Sequence, residues 1–292
     1  MARTLKAIEP TTAKPSKPKI LVYGIGGVGK TTVAIDFPKT YLIDCEGGAN
    51  LPQYTERLKK SGGMYFGPDQ GANDFAAVTE EIITLATTKH PFKTIVIDSV
   101  SKIFNTAVAA EHERMEKAGR DMEKTFGAEK KPALNWLRRW LRWFEKIDMN
   151  VIMVAHQKDQ YVEGKLSGTT FDCWEKLNYE LHLSLQIIKQ GPSRKAKVMK
   201  SRLTGFPDAD VFDWSYAEFA NRFGKDVIES EVTQVQMATP EQIARFNDLM
   251  KIVKLDQKVI DKWSDTADNL EDLSTDDMKK RIDYMTALLP KA

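Results

Sequence analysis

The run Gly24-Ile25-Gly26-Gly27-Val28-Gly29-Lys30-Thr31 constrains this 292-residue chain more than any other feature. It follows the apolar stretch Lys19-Ile20-Leu21-Val22-Tyr23 and opens a helical stretch from Lys30 to Asp36. A buried strand, a glycine turn and a helix in that order form a loop whose backbone N–H groups converge on phosphate oxygens. The glycines permit the tight turn, and the helix N-terminus adds its positive dipole. Gly24, Gly26, Gly27, Val28, Gly29, Lys30, Thr31 and Thr32 are therefore the expected phosphate-binding positions. Lys30 is expected to act in catalysis by reaching the β- and γ-phosphates, and the Thr31 hydroxyl to ligate Mg²⁺. The cofactors this implies are ATP and Mg²⁺.

The rest of the chain supplies a framework for such a loop. Further near-continuous apolar runs are Tyr41 to Asp44, Met64 to Phe66, Thr94 to Asp98 and Val151 to Val154. Such runs suit strands buried on both faces of a parallel sheet. Helical stretches lie between them, at Asp74 to Lys89, Lys102 to Lys117 and Pro132 to Ile147. This alternation predicts an α/β fold of three layers with a mainly parallel sheet. Glu180 to Ile188 and Lys195 to Leu203, joined by a turn-rich spacer, predict a hairpin at the sheet edge. Thr239-Pro240-Glu241-Gln242 is a helix-start signature, and apolar residues then recur at helical spacing. The expected organisation is a flexible basic arm over residues 1–17, an ATPase core over 18–236 and a small helical C-terminal module over 237–292.

Composition excludes several classes. With 42% hydrophobic and 29% charged residues and a net charge of +2, the chain reads as globular and not as a polycation. Cys45 and Cys173 stand far apart without metal-ligand neighbours, which argues against a disulfide scaffold or a zinc site. No stretch is long and apolar enough to span a bilayer, so a reduced, cytoplasmic protein without a membrane partner is expected.

Asp98 ends its apolar run at the crevice where α/β sheets bind ligands, and is expected to hold the Mg²⁺ water shell. The alternative is a helix N-cap. Asp44 and Glu46 end the strand after the P-loop helix, where a carboxylate can take a proton from an attacking water. For Asp44, turn chemistry explains the residue equally well. His156 and Gln157 end another strand and are placed to sense the γ-phosphate.

Ile43-Asp44-Cys45-Glu46, Val96-Ile97-Asp98-Ser99-Val100 and Ala155-His156-Gln157 together resemble the RecA-like ATPases. The resemblance implies that Glu46 is the catalytic base and that Gln157 couples ATP to DNA-binding loops; His156 departs from the asparagine of RecA. Lys197-Val198-Met199-Lys200-Ser201-Arg202 resembles the paired lysines that reach a neighbouring subunit's ATP in a RecA filament. That assigns Lys200 and Arg202 to the nucleotide of an adjacent subunit, with Arg202 as an arginine finger. Strand alternation predicts Ala196, Val198, Lys200 and Arg202 on one face, although a basic edge strand that blunts aggregation is the competing reading. The compact core and short helical tail are similar to the phage Sak-type annealing ATPases, which would place the protein in a bacterial host's cytoplasm.

Two segments fall where that family binds single-stranded DNA: Met115 to Pro132, and Lys158 to Thr170 with Lys158, Tyr161 and Lys165. Trp136, Trp140 and Trp143 share a helical face with Leu137, Leu141 and Phe144, which reads as core packing. The function expected is an ATP-dependent single-stranded-DNA-binding recombination ATPase that self-assembles as a filament or ring and promotes annealing or strand exchange. A single-strand-binding protein is an optional further partner. The competing readings are a nucleotide or small-molecule kinase and a nucleotide-gated scaffold with little turnover.

Overall fold

The apolar runs become neighbours in one sheet because each would otherwise expose both of its faces. The computed structural model describes residues 16–121, 124–266 and 270–289. In chain order the strands are β1 (Lys19–Gly24), β2 (Thr40–Asp44), β3 (Met64–Phe66), β4 (Thr94–Asp98), β5 (Asn150–Val162), β6 (Lys165–Phe171), β7 (Leu183–Gln190), β8 (Ser193–Ser201) and β9 (Val211–Asp213). The helices are α1 (Lys30–Ala34), α2 (Pro52–Lys60), α3 (Phe75–Thr87), α4 (Val100–Lys117), α5 (Lys131–Lys146) and α6 (Leu177–Glu180). They continue with α7 (Tyr216–Phe223), α8 (Lys225–Glu229), α9 (Pro240–Ile252), α10 (Gln257–Thr266) and α11 (Thr275–Ala287).

The sheet order is β3-β2-β4-β5-β1-β7-β8-β9, with β6 paired to β5 alone. From β3 to β7 every neighbouring pair is parallel; β8 and β9 then add antiparallel strands. This is a three-layer α/β core, in which β5 separates the P-loop strand from the strand ending in Asp98. Period-2 alternation divides each strand between two cores. Leu21, Ile43, Ile97 and Met153 face α3, α4 and α5, whereas Val22, Leu42, Val96 and Val154 face α1 and α7. Trp140 and Trp143 lie in the first core, and Trp140 Nε1 donates to Thr79 Oγ1 at 2.7 Å. The aromatic stripe of α5 is therefore core packing.

Three sequence expectations change. The hairpin β7–β8 is not an edge addition: β7 is interior, flanked by β1 and β8, and β9 is the edge. Two antiparallel strands extend the parallel block past the P-loop strand instead of ending it. Second, β5 does not stop at Val154. It continues to Val162 and folds back as β6, so most of the expected loop Lys158 to Thr170 is a β-ribbon. The ladder provides hydrogen bonds that an irregular loop would have to find in solvent. Third, Ala196 and Val198 do not share a face with Lys200 and Arg202. Leu185 pairs with Val198 but Ser184 pairs with Lys200, so Met199 is an extra residue and the bulge turns the strand over.

The C-terminal helices have their own apolar cluster, formed by Phe246, Leu249, Val253, Leu273, Met278 and Met285. The start of α9 is capped as expected. Thr239 Oγ1 accepts from Gln242 N at 3.3 Å, and Gln242 Oε1 accepts from Thr239 N at 3.0 Å. These helices lean on α5 through Arg139–Asp272 and through Lys146–Asp277 at 2.9 Å. Of the expected N-terminal arm, residues 1–15 lie outside the described residues. Lys17 is buried and donates to the Ser230 carbonyl at 2.5 Å. No helix among the described residues is long and apolar enough to cross a membrane.

Candidate active site

The loop between β1 and α1 is shaped by close backbone contacts. A Cβ on Gly24 would stand 2.5 Å from the Ile187 carbonyl oxygen of β7, so only glycine fits there. Gly27 and Gly29 hold φ of +71° and +94°, in the left-handed region that side chains disfavour. Lys30 is buried, and its Nζ donates to the Gly24 and Ile25 carbonyls at 2.8 and 2.9 Å. The ammonium is thus parked on the loop it would leave for a phosphate. Desolvation lowers its pKa, against the pull of Asp98 and Glu46. Thr32 follows on α1, half-buried, and Val28 is buried in the α1-side core.

Alternation also decides which polar strand ends meet the loop. Beyond Leu42 the face toward α1 passes to Asp44 and Glu46; beyond Val96 it passes to Asp98; beyond Val154 it passes to His156. These four side chains and Lys30, Thr31, Gly26 and Gly27 line one cleft of about 190 Å³. Thr31 Oγ1 donates to Asp98 Oδ2 at 2.5 Å. Burial pushes the Asp98 carboxyl up to about 6; the Thr31 hydrogen bond opposes this, and Glu46 and Asp44 add to it. A desolvated carboxylate facing a hydroxyl, open to a phosphate site, is a donor set that suits Mg²⁺, which keeps several waters and takes one or two protein ligands. Asp98 does not cap α4, because Ser99 does so through Lys102 N at 3.2 Å.

Asp44 and Glu46 separate into different roles. The buried Asp44 accepts from the backbone N–H groups of Glu46, Gly47 and Ala49 at 3.1, 2.9 and 2.8 Å, and from the Tyr65 hydroxyl at 3.1 Å. It builds the turn and has little left for catalysis. Glu46 is exposed on that turn. His156 Nε2 lies 2.6 Å from Glu46 Oε1 and 3.3 Å from Ser99 Oγ, and Ser99 also donates to Glu46.

Gln157 points to the other face of the sheet. Its Oε1 accepts from Gln186 Nε2 at 3.1 Å, outside the cleft. Lys200 and Arg202 sit at the opposite end of the strands, where Lys200 pairs with Ser184 and the Arg202 N–H donates to the His182 carbonyl at 2.9 Å. Their side chains donate to the Leu181 and Tyr179 carbonyls, and burial lowers the Lys200 pKa. Neither approaches the phosphate loop of its own chain. A larger groove, about 770 Å³, also lies at that far end beside Lys19 and His182 and contains none of the phosphate-loop residues. Sequence reasoning passed over Ser99 and undervalued His156. Continuing the period-2 pattern from Val154 would have put His156, not Gln157, on the P-loop side.

No curated protein matches the sequence. The crystal structure of the RadB recombinase is similar with a TM-score of 0.40 and 18% identity, over 66% of this chain and 84% of that chain. A profile of the AAA domain matches residues 16–190, which contain the phosphate loop, Glu46, Asp98 and His156. Since that match takes in more than half of the sequence, the chain belongs to the AAA domain family and is a P-loop ATPase.

Proposed function

We propose that this protein is an ATP-dependent single-stranded-DNA-binding ATPase that self-assembles and promotes annealing or strand exchange, as the phage Sak-type enzymes it resembles do. The observation that carries the reading is strand β5. One continuous strand begins in the sheet, presents His156 to Glu46 in the cleft, and runs out into the ribbon β5–β6. The ribbon exposes Tyr161, Val162 and Leu166 and carries Lys158 and Lys165. An aromatic platform beside positive charge is the general solution for stacking and tracking a single strand. A change at the γ-phosphate therefore has a rigid path of a few residues to the DNA surface.

The hydrolytic step follows from the same geometry. Glu46 takes a proton from a water as the water oxygen bonds to the γ-phosphorus and the bond to the β–γ bridging oxygen breaks. Ser99 and His156 fix the carboxylate so that it need not be ordered during the reaction. Lys30 leaves its two carbonyls to neutralise phosphate charge. Thr31 and Asp98 would hold Mg²⁺, which offsets charge on the β- and γ-phosphate oxygens. Lys200 and Arg202, remote from their own loop, are assigned to a neighbouring subunit's nucleotide, which makes the assembly the working unit.

Purified protein with ATP and Mg²⁺ is expected to hydrolyse faster when single-stranded DNA is added, and to form filaments or rings visible by electron microscopy. Absence of DNA binding both with and without ATP would sink the proposal. The C-terminal helices from residue 237 are assigned to subunit or partner docking.

A further inference from the structure

The cation that touches the phosphate loop is neither Lys200 nor Arg202. Arg194 is the second residue of β8, just after the β7–β8 turn. Its backbone is fixed on two sides, by pairing with Lys189 and by accepting from Trp214 N at 2.8 Å. A Cβ built on Gly29 would stand 2.1 Å from Arg194 Nε and 2.4 Å from its Cδ, so the side chain lies directly against the residue before Lys30. By contrast, Lys195 beside it pairs with Asp213 at 2.8 Å, and Arg222 pairs with Asp210 and Glu218, each at 2.6 Å. Among the described residues, no carboxylate pairs with Arg194.

We propose that Arg194 is a nucleotide-binding residue acting in cis, its guanidinium bonding the α- and β-phosphates of the nucleotide held on its own chain's loop. The inference rests on the ATPase reading above and adds a residue to it. The carboxylates Glu46 and Asp98 come from β2 and β4, on one side of β1, whereas Arg194 comes from the β7–β8 side. A triphosphate with its reacting end beside Glu46 must run across the loop toward Arg194. The cleft, about 190 Å³, is also smaller than the ~300–1,000 Å³ of a site that encloses a whole ligand, so the nucleoside end lies outside it. A planar fork with no other anion is suited to bidentate phosphate binding at that exit.

The test uses fluorescent ADP and ATP analogues with the full chain, titrated against wild type, Arg194→Ala and Arg194→Lys. The alanine variant is expected to lose about ten- to hundredfold in affinity for both nucleotides, with partial recovery by lysine. The Arg194 side chain is exposed near the start of β8, so melting without nucleotide should not move, while the stabilisation given by ADP should shrink. Unchanged affinity, or a loss confined to ATP, overturns the assignment. Mixing Arg194→Ala with Lys30→Ala chains is expected to restore nothing. Recovery in the mixture would show action on a neighbour's site and overturn the cis role. Wild type that binds neither nucleotide would instead refute the ATPase reading.

Discussion

Glu46 accepts from Ser99 and lies 2.6 Å from His156 Nε2, so the carboxylate proposed as the base is held at the cleft before a nucleotide arrives. An amide at the same position keeps the shape but cannot take a proton. Glu46→Gln is expected to retain ATP binding by fluorescence titration and to lose about 10²–10⁴-fold in phosphate release. Unchanged slow turnover would favour the nucleotide-gated scaffold. A second residue governs stability instead of chemistry. Lys19 is buried at the start of β1, donating to the Ile147 carbonyl at 2.9 Å and to that of Met149. Burial pulls its pKa down to about 7. The unfolded chain binds that proton up to pH ~10.4. Between the two values the unfolded state holds more protons, so this group makes stability rise with pH from about 7 upward. Urea midpoints of wild type are expected to climb relative to Lys19→Met between about pH 7 and 9.5. Parallel curves would show that Lys19 titrates normally.

Elements are coupled where a strand serves two environments. Residues 150–155 of β5 are buried, while from His156 outward the strand is exposed or half-buried. The inner half is fixed by β1 and β4; the outer half is held by β6 alone, with a register shift between Gln160 and Tyr161. A bulge of this kind increases the local twist, and it lies next to the exposed Tyr161 ring, 63% accessible. If bases stack there, Tyr161→Ala is expected to weaken single-stranded DNA binding by about ten- to hundredfold, given ~1–3 kcal/mol per stacked base. Basal hydrolysis without DNA should stay as in wild type, since Tyr161 lies outside the cleft. DNA anisotropy at constant salt, read beside phosphate release, checks both halves of that statement.

At the scale of the molecule, the C-terminal helices keep an apolar cluster separate from the two cores that flank the sheet. Their ion pairs to α5, Arg139–Asp272 and Lys146–Asp277, are partly exposed and contribute only about 0–1 kcal/mol each. Ending the chain before residue 238 is therefore expected to leave the ATPase core folded, with a melting point lowered by a few degrees at most. If these helices serve docking, oligomer size by light scattering should change while affinity for DNA persists. An unchanged oligomer with abolished DNA binding would contradict that role.

The sequence alone determined the phosphate loop, the strands that flank it and the cap at Thr239. Each depends on contacts among residues within a few positions of one another, and local spacing is enough to specify them. It also carried Asp98 and Glu46, because both follow directly from where an apolar run ends. Tertiary structure decided the rest. A single extra residue, Met199, reversed the face of Lys200 and Arg202, and no local pattern announces a bulge whose partner lies in another strand. The pairing of His156 with Glu46 spans 110 positions of sequence, and the contact of Arg194 with Gly29 depends on β7 joining β1. Such contacts are set by sheet order, and the choice of neighbour is made by burial of both strand faces across the whole sheet, not by any segment of the chain.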